Sequence, residues 1–446
     1  MERRDLPSVD RLAADLGSWP LPRATIVKVA RQVIDAARRG EHPNGDLHSV
    51  AREVLGRLVR SRPGSVLNAT GVLLHTNLGR AVMSEDAARA AYEAATGYSN
   101  IEIDAETGER GNRAGYLHAL LANLTGAEAA LVVNNNAGAL VLALAALARG
   151  RTVVVSRGEL IEIGGAYRLP EIIAASGAKL REVGTTNRTR LSDYRSAMDD
   201  STAALLKIHT SNYRIVGFTE EVETAELIAL GRDAGVPVIF DAGSGLLDEK
   251  VPWLSGPPPA WLAGEPGIRQ QVELGADLVM FSGDKLFGGP QAGVVVGKQQ
   301  VVATAQRHPL ARALRIDGPT IAAMTVTAEM YADGRGSAIP IWAMIAASYG
   351  ALEARVMAVL EASGIDRAVV EESGSVIGAG SFPGVTISSP VIAISGRVDR
   401  IHHALLAGDP PVLARRDGGR LLIDLRAIPE GSDSLLAQAL AAACRS

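Results

Sequence analysis

Three polar interruptions of apolar sequence could do chemistry. In "VIFDAGSG", Asp241 ends a wholly apolar run, where an ionised carboxylate needs a cationic partner. In "FSGDKLFGGPQAG", Lys285 follows the apolar "ADLVM", 44 residues after Asp241; an unpaired ammonium there is costly to desolvate. In "VVNNNAGAL", a strand runs into Asn134-Asn135-Asn136 before Ala137-Gly138 open an apolar helix. Free N–H groups at such a start, flanked by small side chains, suit a phosphate. Taken singly, the asparagines read as an N-cap. Asp241 alone could bind a metal, order a histidine or pair with a protonated pyridine nitrogen. Together, a phosphate cradle, a buried acid and a lysine suit pyridoxal 5′-phosphate. Lys285 would form the Schiff base, and Asp241 would keep the ring nitrogen protonated so that the ring draws electrons. Burial would lower the pKa of Lys285 and free its amine for imine exchange and proton transfer. A nucleotide site reads poorly, because no G-x-x-x-x-G-K-[ST] occurs and no G-x-G-x-x-G follows the first sheet strand.

Other polar residues stand near predicted strand ends. His209, Ser211 and Asn212 in "LKIHTSNYRIVGF" could approach the cofactor or form a capped turn. Glu159 and Glu162 could touch the ring or the substrate, with Gly164-Gly165 as a tight turn. "LARALRIDG" predicts Arg312 and Arg315 on one helical face at i, i+3, and "HTNLGRA" presents Arg80 after a glycine. Such arginines are either a salt-bridged surface or a clamp for an oxyanion such as phosphate.

The elements that must position these residues fall into three parts. From Pro7 to about Arg60 the pattern is helical. Ile26, Val29, Ala30, Val33 and Ala37 form one stripe, and Gly40 is a stop. "RPGS" at 62–65 reads as a linker. Beyond it, short apolar runs at 129–134, 152–156, 179–184, 203–209, 236–243, 276–282 and 293–297 mostly alternate with amphipathic helices. That predicts an α/β fold with a mostly parallel sheet covered on both faces. The last two runs lie too close for a crossover helix, so an antiparallel pair is expected there. A long helical signal in "IPIWAMIAASYGALEARVMAVLEASG" then leads into short strands and a closing helix, a smaller α+β domain.

Composition supports ordinary globular folding, with 47% hydrophobic and 21% charged residues. A single cysteine, Cys444, excludes an internal disulfide framework and a cysteine-based zinc site. The N-terminal stretch lacks a signal-peptide core, and the apolar run Ala137 to Ala148 is too short to span a bilayer. A cytoplasmic protein without membrane association is expected. Residues 1–62 carry 12 Lys+Arg against 8 Asp+Glu, while the rest carries 33 against 41. A basic front end hints at a polyanionic partner, or is a solvated arginine face.

The stretches "LPSVDRL", "NATGVLLHTNLGRA", "GYSNIEID", "LTGAEAALVVNNNA", "GELIEIGGAYRLPEI", "KIHTSNYRIVGFT", "DAGSG", "SGDKLFGGPQAG", "HPLARALRID" and "GSFPG" resemble the bacterial L-seryl-tRNA(Sec) selenium transferases. The resemblance runs essentially the full length. It implies a fold-type-I, aspartate aminotransferase-like pyridoxal 5′-phosphate enzyme: a helical tRNA-binding domain at 1–62, a large cofactor-binding domain at 63–335 and a small domain at 336–446. It implies conversion of seryl-tRNA(Sec) to selenocysteinyl-tRNA(Sec) with selenophosphate through a cofactor-bound aminoacrylyl intermediate. Lys285, Asp284, Arg80, Arg312 and Arg315 would be catalytic, the three arginines holding the selenium donor's phosphate. Asn135, Asn136, Ala137, His209, Asn212, Asp241, Ser282 and Lys285 would hold the cofactor, with no metal. Rings of dimers are implied as the assembly. Gly318-Pro319 and Ala114-Gly115 depart from the family's usual form near presumed substrate contacts. The alternative is a lyase-like paralogue acting on a free amino acid or amino sugar.

Overall fold

The computed structural model describes residues 6–41, 46–164, 167–378 and 382–445. Gly165 of the Gly164-Gly165 turn, Gly380 and Ser381 of "GSFPG", and the outermost residues of the 1–62 and 336–446 assignments lie outside the described residues. Contacts divide the chain into two units, Met1–Leu67 with Ala407–Pro411, and Asn68–Leu406 with Val412–Ser446.

The first unit carries three helices, Val9–Asp15, Arg23–Arg38 and Leu47–Arg60. Ser8 and Asp46 cap the first and third by accepting from Arg11 N and His48 N. Ile26, Val29, Ala30, Val33 and Ile34 face Leu12, Leu47, Ala51 and Leu55 in one apolar core. Ala37 only packs against its margin. Arg23, Lys28 and Arg31 stand exposed on the other side of the central helix and line a shallow groove.

The second unit is built on a seven-stranded sheet: β1 (Ala129–Val133), β2 (Thr152–Ser156), β3 (Lys179–Val183), β4 (Thr202–Ile208), β5 (Val238–Gly243), β6 (Leu278–Ser282) and β7 (Gly293–Gly297). The order is β1-β7-β6-β5-β4-β2-β3, and β7 is antiparallel to both its neighbours. The β2, β3, β4, β5 and β6 pairings are parallel. Strand residues alternate between two apolar clusters. Val132, Val154, Leu205, Phe240, Val279 and Val294 join one, and Leu131, Val153, Leu206, Ile239, Met280 and Val295 join the other. Both faces are dry, which is why these strands read as continuous apolar runs.

The same unit holds a second sheet with β8 (Ala368–Gly378), β9 (Ile387–Ser395), β10 (Val412–Asp417) and β11 (Arg420–Asp424), in the order β10-β11-β9-β8. Val72–Leu74 adds in parallel to the end of β8. The long helical signal before it divides into Pro340–Ala346 and Tyr349–Ser363, bent by 95°. Ser348 starts the second helix by accepting from Ala351 N. Arg426 donates to the carbonyls of Met344 and Ala347, both at 2.9 Å, and so satisfies the end of the first. No single helix among the described residues is long and apolar enough to cross a membrane.

Candidate active site

Asp241 and Lys285 come together because β5 and β6 are adjacent and parallel, so their C-terminal ends share one edge of the sheet. The register slips after Met280, which pairs with Asp241, while Phe281 pairs with Gly243. The extra residue, Ala242, turns the chain beyond Asp241. Gly243 continues that turn at φ 64°, and a Cβ there would lie 4.0 Å from Lys285 Nζ. The loop carrying Lys285 is pinned by Leu286 N donating to Ser244 O at 2.9 Å and Gly283 N donating to Ala292 O at 2.8 Å. Gly293 lets β7 begin against the asparagine run, since a Cβ on it would sit 2.2 Å from Asn135 O.

The two ionisable groups are poised in opposite senses. Burial pushes the Asp241 carboxyl above its ordinary value; hydrogen bonds from Asn136 and Gly243, and the charges of Lys285 and His209, oppose it. Asn136 Nδ2 donates to Asp241 Oδ1 at 2.8 Å, and Gly243 N donates to the same oxygen at 3.0 Å. Burial lowers the Lys285 ammonium, against the attraction of Asp241 and Asp284. Lys207, the other lysine at a strand end, contrasts with it. Burial opposes its charge too, but Glu159 at 3.0 Å holds it above the usual lysine value. Lys207 is committed to an ion pair, whereas Lys285 has none among the described residues and burial disfavours its charge.

The remaining sequence-predicted residues are distributed as follows. Asn135 Oδ1 accepts from Gly138 N at 2.8 Å and caps the helix Asn136–Ala148. The N–H groups of Asn136 and Ala137 open its first turn. The Asn136 side chain is turned to Asp241. Ser282 is buried at the end of β6. Arg80 and the preceding Gly79 both adopt left-handed backbone, at φ 64° and 95°. That aims Arg80 Nη1 at Asp284 Oδ2, 2.7 Å away, while Ala81 N donates to Asp284 O at 3.1 Å. Asp284 and its neighbour Lys285 therefore share their surroundings with Arg80, whose charge also lowers Lys285.

Arg312 and Arg315 do not share a helical face. The helix Pro309–Ala313 stops before Arg315, which forms a bridge with Val133 while Asn134 N donates to Leu314 O at 2.8 Å. Pairing with β1 wins over helical continuation here. Arg312 is exposed and makes no hydrogen bond or ion pair among the described residues. Arg315 lies 3.4 Å from Glu102, which also receives Arg113 at 2.7 Å. Gly318-Pro319 open the helix Gly318–Ala332, with Asp317 capping Thr320 N. Pro319 is thus at a position where helices accept proline. Ala114 takes φ 56° just before the helix Gly115–Thr125.

His209 Nε2 meets Glu265 Oε2 at 3.0 Å, and His209 N donates to Asp241 O at 2.9 Å. Asn212 instead donates to Glu162 O at 2.7 Å, away from Lys285. Glu162 pairs with Arg168 at 2.9 Å on the surface, and Glu159 is occupied by Lys207 and Ile208 N. Glu265 and Ser244 carry no sequence signal that distinguishes them, yet both sit against this edge of the sheet.

The residues fit pyridoxal 5′-phosphate. Asp241 is buried and has no cation within ion-pair distance among the described residues. Asn136 Oδ1 and Ser244 Oγ are buried polar atoms lacking a hydrogen-bond partner. Buried polar groups left unpaired by the protein are places a ligand completes.

Known proteins resemble this chain along most of its length. The profile of the family described as "SelA: L-seryl-tRNA selenium transferase" matches residues 66–429. An L-seryl-tRNA(Sec) selenium transferase of Solidesulfovibrio magneticus is 45% identical, covering 99% of this chain and 98% of its own. One of Moorella thermoacetica is 44% identical, covering 98% and 96%. Among solved structures, that of D-glucosaminate-6-phosphate ammonia-lyase superposes with a TM-score of 0.61 at 20% identity. It covers 88% of this chain and 98% of that one, a likeness of fold.

Proposed function

The chain belongs to the L-seryl-tRNA selenium transferase family, and we propose that the Asp241–Lys285 edge of its large sheet is where that family's reaction takes place. It is a fold-type-I pyridoxal 5′-phosphate enzyme that converts L-seryl-tRNA(Sec) to selenocysteinyl-tRNA(Sec). One observation carries the site assignment: a buried carboxylate steadied by Asn136 and Gly243 faces a lysine whose ammonium is destabilised by burial.

When bound, pyridoxal phosphate withdraws electrons from the serine α-carbon so that the β-hydroxyl can leave. Asp241, whose two donors favour the anion against the rise that burial causes, would hold a proton at the ring nitrogen. Lys285 Nζ would hold the cofactor and would be the base for the serine α-proton, its charge being disfavoured by burial. The N–H groups of Asn136 and Ala137, with Ser282 nearby on β6, are the anion-binding groups for the cofactor's phosphate. Ser244 Oγ supplies a further hydrogen bond. Arg80, Arg312 and Arg315 bind selenophosphate, the donor, whose charge rises at the leaving phosphate as selenium transfers. Asp284 orients Arg80 and stands beside the reacting carbon.

The helical domain at 1–62 grips the tRNA through exposed Arg23, Lys28 and Arg31, as counterion release at phosphates requires. The catalytic part divides into 63–335 and 336–446. The protein works in the cytoplasm as dimers assembled into a larger ring; the exposed Tyr92, Tyr98 and Tyr116 are surface that such an interface would cover.

The experiment is to incubate the cofactor-loaded protein with selenocysteine tRNA charged with serine and with selenophosphate, then identify the esterified amino acid. Selenocysteine is expected. Unchanged serine, with turnover of a free amino acid or amino sugar, would favour the lyase-like reading.

A further inference from the structure

We propose that the cavity of about 950 Å³ beside the Lys285 site holds the 3′-terminal nucleoside of the charged tRNA. This rests on the reading of the chain as a seryl-tRNA enzyme and extends it to the nucleoside that carries the seryl ester.

The cavity adjoins the reacting centre. His209 and Ser211 line it. Ser211 Oγ and Lys285 Nζ flank the same small space, lying 3.8 and 4.0 Å from where a Cβ on Gly243 would be. A seryl group reaching Lys285 would therefore leave its esterified ribose on the His209 side.

The lining calls for hydrogen-bond donors. Glu265 Oε1 and Gln271 Oε1 both belong to side chains lining the cavity, and both atoms are buried without a hydrogen-bond partner. Each residue is only 7% exposed. Two unpaired acceptors just behind the lining of one cavity fit a ligand that presents hydroxyl or amino hydrogens to them, as ribose and the exocyclic amine of adenine do. Trp261, partly exposed and braced edge-on by Phe382 at 5.3 Å and 86°, offers the flat face on which a base stacks.

Charge argues against the other substrate. Six glutamates line the cavity against three cationic side chains, Arg188, Lys207 and Arg214. Two of those cations are already paired, Lys207 with Glu159 and Arg188 with Glu220. A multiply charged selenium donor would be repelled, whereas a neutral nucleoside is not. Exposed Arg214 is left to meet the phosphate that precedes it.

The probe is the seryl amide of 3′-amino-3′-deoxyadenosine, which cannot hydrolyse, titrated calorimetrically into the cofactor-loaded full chain. Trp261→Ala and Gln271→Leu should each weaken it at least tenfold while the cofactor's visible band and the response to free serine stay as in the unaltered protein. Equal affinity in the unaltered chain and both variants would overturn the subsite. So would a probe that binds no better than free serine to a protein that still converts seryl-tRNA. A protein that never converts seryl-tRNA would instead sink the functional reading, and this proposal with it. Should either variant fail to fold, the 2-azidoadenosine form of the probe, photolysed on the unaltered chain, must label the 258–271 segment. Labelling confined to other segments would overturn the assignment.

Discussion

Replacing Asn136 by alanine separates two roles that one residue could play. Its amide donates to Asp241 Oδ1 at 2.8 Å, and among the described residues only Gly243 N, at 3.0 Å, makes another hydrogen bond to that oxygen. Burial raises the carboxyl, and these donors resist that rise. A hydrogen bond to a charged group contributes about 1.5–3 kcal/mol. At roughly 1.4 kcal/mol per pH unit, its loss moves Asp241 upward by about 1–2 units. The sign is fixed: a lost donor disfavours the anion, so protonation of Asp241 sets in at a higher pH. The acid limb of kcat/KM, and the pH at which the bound cofactor's visible band changes, should both move up by that amount, with the alkaline plateau little altered. The assay is a pH series of absorbance spectra and of selenium transfer on the loaded variant. An unmoved acid limb with weaker cofactor binding would refute the reasoning, because it would place Asn136's work at the phosphate.

Arg312→Ala should leave the visible band intact while lowering selenium transfer at least a hundredfold; loss of the band instead would tie that arginine to the cofactor. Lys207→Met strands the buried Glu159 carboxylate, of which 7% of the side chain is exposed. It should cost about 3–5 kcal/mol in denaturant unfolding, and adding Glu159→Gln should restore a good part of it. Gly243→Ala forces alanine to φ 64°, a cost of about 1–2 kcal/mol. The new methyl would meet Lys285 Nζ at 4.0 Å, an ordinary contact, so cofactor occupancy should fall no further than the stability loss explains; a larger loss would contradict that spacing.

The large sheet was legible because every strand but the edge strand β3, with Lys179, Arg181 and Glu182, is apolar on both faces, and the antiparallel β6–β7 pair because only ten residues separate Ser282 from Gly293. Asp241 and Lys285 stood out for the same reason: charge at the end of a dry strand. Contacts made across long sequence distances were not legible. The helix break after Ala346 depends on Arg426, some eighty residues away, satisfying the carbonyls of Met344 and Ala347. Arg315 leaves its helix to pair with Val133, which no local periodicity encodes. The turn of the Asn136 side chain toward Asp241 needs β5 beside it, and Glu265 lies in an ordinary-looking "LAGEPG" loop until His209 is brought to 3.0 Å.

Reduction of the cofactor-loaded protein with borohydride, followed by peptide mass mapping, tests the account most directly. A phosphopyridoxyl group on Lys285 alone is the predicted result, since Lys207 is held charged by Glu159. Modification of Lys207, or of a surface lysine with Lys285 untouched, would contradict it.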